Sequence, residues 1–273
     1  MVDAIQEFSR EIGGVYMKKK RSEKPKYGLY AIKIIAILFS VIEIIGLLLL
    51  SVGYYVFNNT YLTIGGGIIT AFGIYMIVAH FLSLYVLTGI DSTRLSRIAK
   101  LLELKGNEYV LDVGSGTGRT AVQMAKRLTT GRLVGIDIWD TMELGGNSPE
   151  RAYKNAEMEG VKDKVEFKFG NVLQIPFDDD IFDMVTCSSV LNNLHGEKNR
   201  IKALNEIFRV LKPRGKCMLL EPLRNFRMFC AFTPFGVFQL GKRGDWENYA
   251  ETVGFSEVKF YDEKGIGIFI LKK

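Results

Sequence analysis

Between Tyr27 and Thr88 the chain runs for 62 residues with only two charged side chains, Lys33 and Glu43. Few folds accommodate such a stretch. Within it, Ile34 to Phe57 is a run of 24 residues with one charge, and Tyr61 to Thr88 a run of 28 with none. At about 1.5 Å per residue, either run as a helix exceeds the roughly 30 Å hydrocarbon core of a bilayer. Two transmembrane helices joined at Asn58-Asn59-Thr60 are therefore expected, with the sequon there read as a turn. Two buried helices of a soluble bundle would need apolar cover on all sides. The rest of the chain is poorly composed to give it, since Gly89 to Lys273 carries 28 basic and 25 acidic residues. A cleavable signal peptide fits less well still, because the run starts too late and lasts too long.

The flanks set an orientation. Lys18, Lys19, Lys20, Arg21, Lys24 and Lys26 precede the first run, Arg94, Arg97 and Lys100 follow the second, and the connection is uncharged. By the positive-inside bias both termini, and the domain that follows, are expected on the cytoplasmic side. The division expected is a basic segment 1–26, a hairpin 27–88 and a domain 89–273. Small residues recur seven apart, Gly46 with Gly53 and Gly66 with Gly73, which puts each pair on one helix face and points to a tight antiparallel hairpin. Glu43 and His80 fall at similar depths, and a hydrogen bond between them is the expectation.

Beyond Gly89 the pattern alternates. Tyr109–Val113 reads as a strand, Gly114-Ser115-Gly116-Thr117-Gly118 as a loop, and Ala121, Val122, Met124, Ala125 and Leu128 as one helix face. Strands at Leu133–Asp137, Val165–Phe169, Phe182–Cys187 and Cys217–Glu221 follow, with helices at Pro149–Gly160 and around Ile201–Leu211, the latter stopped by Pro213 and Gly215. This predicts a doubly wound, mainly parallel α/β sheet with its ligand beyond the strands' carboxyl ends. The loop's G-x-G-x-G spacing, preceded by Asp112 and with Arg at position 119, departs from the dinucleotide fingerprint G-x-G-x-x-G. Asp137, closing the second strand, could accept both hydroxyls of a ribose. Three cysteines without C-x-x-C spacing argue against a disulfide framework or a structural metal. A domain charge of only +3, with no basic stripe, argues against nucleic acid.

These residues resemble the class I S-adenosylmethionine-dependent methyltransferases, particularly the branch acting on quinone rings and lipids. The resemblance rests on Val110–Gly118, Val134–Ile138, Ile175-Pro176-Phe177 with Phe182–Val185, Glu206–Gly215, and Trp246 to Phe255 ahead of a hairpin at Glu257–Asp262 and Gly265–Leu271. It implies a Rossmann-like sheet with a C-terminal antiparallel hairpin, and S-adenosylmethionine as cofactor, leaving S-adenosylhomocysteine. By position it assigns Asp112, Gly114, Ser115, Gly116, Asp137, Ile138, Asn171, Val172 and Ser188 to the cofactor. Asn171 stands where the family usually has an aspartate accepting from the adenine amino group, a bond an amide oxygen can still accept. Asn192, Asn193 and His195 fall on the loop facing the methyl group. His195, the one histidine of the domain, is the candidate base.

Between the fifth strand and the closing helix, Phe226, Phe229, Phe232, Phe235 and Phe238 recur every three residues with arginines and a lysine at the ends. Such a segment suits a bilayer interface or a greasy lid, although the rings could equally pack on the hairpin or the sheet. The insertion Asp140–Pro149 is a further candidate substrate loop. The expected activity is methyl transfer to a hydrophobic acceptor in the membrane, a phospholipid amine or an isoprenoid quinone. The alternatives are a soluble or protein acceptor, with the anchor serving only localisation, and a non-catalytic cofactor-binding scaffold. Oligomeric state is not legible.

Overall fold

The computed structural model describes residues 24–27, 32–88, 92–141, 144–231 and 237–273. The charge-poor stretch forms helices α1 (Ile32–Ser51), continued by a π-helical turn at Val52–Val56, and α2 (Thr60–Thr88). They pack along each other as an antiparallel hairpin. The glycines form the seam, as their spacing suggests. A Cβ on Gly46 would stand 2.7 Å from the Thr70 nitrogen, and one on Gly53 2.7 Å from the Thr63 nitrogen. Methyls on Gly66 and Gly73 would overlap the Leu50 backbone and the Glu43 carboxylate. The connection is a turn: Asn58 is left-handed (φ 44°), and the Asn59 side chain accepts the Leu62 N–H at 3.1 Å, capping α2. Among the described residues one segment, Thr60–Ala79, is long and apolar enough to cross a membrane, with mean hydropathy 1.9, while the apolar segment Ser40–Val56 is shorter. The His80 side chain lies outside the described residues, as do Phe232 and Phe235, so the Glu43–His80 pairing is not seen.

After α3 (Ser92–Ile98) comes a seven-stranded sheet: β1 Tyr109–Val113, β2 Arg132–Asp137, β3 Val165–Phe169, β4 Phe182–Ser188, β5 Leu211–Pro222, β6 Glu257–Glu263 and β7 Ile266–Lys272. Its order is β3-β2-β1-β4-β5-β7-β6, and only β7 runs antiparallel to its neighbours. The helices are α4 (Arg119–Ala125), α5 (Pro149–Met158), α6 (Glu197–Val210), α7 (Phe226–Ala231) and α8 (Arg243–Val253). Central strands are continuous apolar runs because both faces are covered. Leu111, Val113, Leu204, Ile207, Trp246 and Phe269 make one buried layer, and Val110, Ala121, Met124, Leu128 and Ile268 the other.

One sequence reading changes. Pro213 and Gly215 do not open a loop: α6 ends at Val210, and the strand begins at once. It absorbs both residues in an irregularity opposite Phe182 and Met184, with Arg214 left-handed at φ 65°. Lys26 and Tyr27, on either side of the division placed after residue 26, pack on the sheet domain. The Lys26 N–H donates to Asn155 Oδ1 at 2.9 Å, and Asn155 Nδ2 donates back to the Lys26 carbonyl at 3.0 Å.

Candidate cofactor site

The strand order reverses between β1 and β4, and the ends of β1, β2 and β4 open there onto a cleft of about 240 Å³. Gly114 and Gly116 floor it in left-handed conformations (φ 67° and 52°). A Cβ on Gly114 would collide with Val190, and one on Gly116 would stand 3.0 Å from Leu144, so side chains at either position would close the cleft. Ser115, Asp137, Ile138, Asn171, Val172 and Ser188 line it, as does Asn193. Tyr27, Leu95, Thr117 and Arg119 line it as well, with no sign of that role in the sequence, and so do Leu144 and Asn147 of the insertion read as a candidate substrate loop.

Asp137 is fixed from three directions. Its Oδ2 accepts the Gly116 N–H at 2.8 Å, and its Oδ1 accepts the Trp139 N–H at 2.7 Å and Asn147 Nδ2 at 3.1 Å. The insertion at residues 140–149 thus has a definite task, presenting Asn147 to Asp137. Trp139 is left-handed at φ 58°, as is cleft-lining Ser189 at φ 56°. Such strain is retained where surrounding structure demands it, and here it flanks both strand ends that frame the cleft.

Asp112 sits beneath the glycine loop, 1% exposed, and accepts the Thr186 hydroxyl at 2.6 Å from the directly opposed position of β4. Burial pushes its carboxyl up to about 7 against the lowering effect of that bond. Its Oδ2, Ser115 Oγ and Asn147 Oδ1 are buried around the glycine loop without a hydrogen-bond partner. Buried polar atoms are seldom left so; Ser115 and Asn147 line the cleft, whereas Asp112 lies beneath it, and two such atoms at a glycine-floored cleft fit a polar ligand.

The wall after β4 is set by Glu221, fully buried at the end of β5. Its Oε1 accepts the N–H groups of Val190 and Leu191 at 2.9 and 2.8 Å, and its Oε2 that of Asn192 at 3.4 Å. Burial pushes this carboxyl up to about 7, opposed by the three N–H bonds. Asn192, read from sequence as a lid or substrate residue, is committed to the scaffold: Nδ2 donates to the Pro222 carbonyl at 2.8 Å, and Oδ1 accepts the Gly241 N–H at 2.9 Å. Asn171 is exposed, and its Oδ1 accepts the Leu173 N–H at 2.9 Å. His195 is exposed and lies just past the lining, which ends at Leu194. Phe226 and Phe229 do not line the cleft; they are 82% and 43% exposed on α7, a helix that packs against α2.

With this geometry the comparisons agree. A family model described as a methyltransferase domain matches residues 104–233. The chain is 35% identical over 121 residues to a demethylmenaquinone methyltransferase of Lactiplantibacillus plantarum, covering 44% of this chain and 47% of that one. It is 38% identical over 124 residues to the ubiquinone/menaquinone biosynthesis C-methyltransferase UbiE of Hydrogenovibrio crunogenus, covering 44% and 45%. The chain thus spans about half the length of these relatives. A SAM-dependent methyltransferase from Aquifex aeolicus has the same fold, with a TM-score of 0.56 at 19% identity, covering 68% of this chain and 92% of that one. The glycine-floored cleft, the anchored carboxylate of Asp137 and these matches together make residues 104–233 similar to a methyltransferase domain, on a fold shared with an S-adenosylmethionine-dependent methyltransferase.

Proposed function

We propose that this chain is a membrane-anchored methyltransferase that passes the methyl group of S-adenosylmethionine to a hydrophobic acceptor resident in the bilayer, of the isoprenoid-quinone type. One observation carries the reading. Tyr27, just ahead of α1, and Leu95, just beyond α2, both line the cofactor cleft, so the apolar hairpin enters and leaves beside it. The exposed rings of Phe226 and Phe229 are carried by α7, a helix that packs against α2 of that same hairpin. The acceptor class is taken from the quinone methyltransferases among the relatives. The basic flanks support a hairpin that spans the membrane, with both termini and the domain in the cytoplasm.

When bound, the cofactor supplies an already activated sulfonium methyl. Holding the acceptor in line and excluding water can then lower most of the barrier. Asp137, held by Gly116, Trp139 and Asn147, fixes the ribose end. Leu95, Leu144, Val190 and Leu194 give the cleft apolar walls that keep water out. Glu221 holds the loop carrying Val190 by its backbone. A ring-carbon acceptor must also shed a proton. Among the described lining residues only Tyr27, Arg119 and Asp137 ionise, and Asp137 is occupied by its three donors. The proton is assigned to His195, one residue past the lining. Replacing His195 by Ala should then lower turnover about a hundredfold with cofactor affinity unchanged, and unchanged turnover would end the assignment.

The test of the function is to supply cofactor labelled in its methyl group to membranes containing the chain. Lipid, protein and aqueous pools are then separated. Label in a quinone-type lipid supports the reading; label in phospholipid, protein or a soluble compound replaces the acceptor. Cofactor binding with no labelled pool would favour a scaffold.

A further inference from the structure

Arg119 and Asp137 are the charged residues of the cleft lining among the described residues. Asp137 has its donors, but Arg119, which opens α4, is within ion-pair reach of no described carboxylate. It is instead held over the Tyr27 ring at 5.5 Å. The ring is fixed in turn by an unusual joint. Asn155, 1% exposed, grips the Lys26 peptide from both sides and also donates to the Thr117 carbonyl at 2.9 Å. The Thr117 hydroxyl donates to the Tyr27 carbonyl at 2.9 Å, and the Tyr27 hydroxyl to Glu159 at 3.4 Å. A segment ahead of the hairpin is thereby stitched into the glycine loop itself.

From this arrangement we propose that Arg119, braced by Tyr27, receives the carboxylate of the cofactor's amino-acid end, so that the segment preceding the hairpin completes the cofactor site. The inference rests on the cofactor assignment and adds to it. A planar guanidinium takes a carboxylate with two parallel hydrogen bonds, and stacking on an aromatic face restricts its orientation without consuming its donors. With Asp137 at the ribose, the cleft then carries opposite charges suited to the two polar ends of one ligand. It also means that Lys26 and Tyr27 cannot leave the domain without removing a wall of the site.

Two ligands separate this contact from general damage. S-adenosylhomocysteine carries the carboxylate, while methylthioadenosine keeps the adenosine and thioether and lacks it. Affinities are measured by calorimetry on the full chain in detergent. Arg119→Gln should weaken S-adenosylhomocysteine about tenfold to a hundredfold, the scale of a lost charge-assisted pair, and leave methylthioadenosine within about twofold. Tyr27→Ala should act in the same direction, while Tyr27→Phe, which keeps the ring, should bind as the parent does. Equal loss for both ligands in either variant, or no loss in Arg119→Gln, overturns the proposal while the parent chain's binding leaves the cofactor assignment standing. If the parent binds neither ligand, the cofactor assignment falls and takes this proposal with it.

Discussion

Replacing Glu221 by Gln tests whether a buried carboxylate organises the wall of the cleft. Both of its close hydrogen bonds, from Val190 and Leu191, fall on Oε1, while Oε2 has only the long 3.4 Å bond from Asn192. An amide with its oxygen in the Oε1 place keeps the two good bonds and loses the weak one, at a cost of about 1 kcal/mol. The larger effect is electrostatic. The folded carboxyl titrates at about 7 against 4.5 for an ordinary glutamate, chiefly because burial penalises the charge. A carboxyl raised on folding contributes stability that is fully present below pH 4.5 and is lost as pH rises through 7. At 1.36 kcal/mol per unit, that loss is about 3 kcal/mol. The stability of the Gln variant relative to the parent should therefore climb by about 3 kcal/mol between pH 4.5 and pH 8. It should start about 1 kcal/mol below the parent at acid pH and end above it. Thermal unfolding of the full chain across this range, followed by the fluorescence of buried Trp246, would read the change as a relative shift of about 6–12 °C. A difference between the two proteins that stays flat with pH, or falls as pH rises, would refute a buried titrating carboxylate at this site.

Other outcomes follow from single contacts. Gly66→Ala should lower the thermal midpoint of the full chain, because the new methyl overlaps the Leu50 backbone, whereas Gly65→Ala, with nothing within 4 Å of its Cβ, should not. Asp137→Ala should weaken S-adenosylhomocysteine about tenfold or more by calorimetry, since it removes the proposed ribose acceptor and releases the donors of Gly116, Trp139 and Asn147. Trp246→Ala should cost about 3–5 kcal/mol in denaturant unfolding, because the ring is 1% exposed between Tyr249 and the Arg200 guanidinium.

Local patterns announced much of this molecule. Period and run length located the helices and the central strands, and the glycine spacing located both the hairpin seam and the cleft floor. What stayed hidden is non-local. Asn155 and Lys26 are 129 residues apart, and nothing in an amphipathic helix marks one asparagine as the clamp for a distant peptide. Glu221 read as the end of an apolar strand; its three partners lie about 30 residues earlier, on a different element. Asn192 was legible as a polar residue on a loop beside the cleft, but only the fold shows both its amide atoms taken by backbone groups. Pro213 and Gly215 misled because a helix stop and a strand irregularity use the same residues.

The function proposed for this chain is methyl transfer, beside an apolar hairpin, to an acceptor drawn from the bilayer. Its most direct test places the full chain in lipid nanodiscs with an isoprenoid quinol lacking its ring methyl and with cofactor labelled in the transferred methyl. Label is expected on the ring carbon of the extracted lipid, at a rate that falls when the same quinol head without its isoprenoid tail is supplied in water. Transfer only to water-soluble acceptors, or none while S-adenosylhomocysteine binds normally, would contradict it.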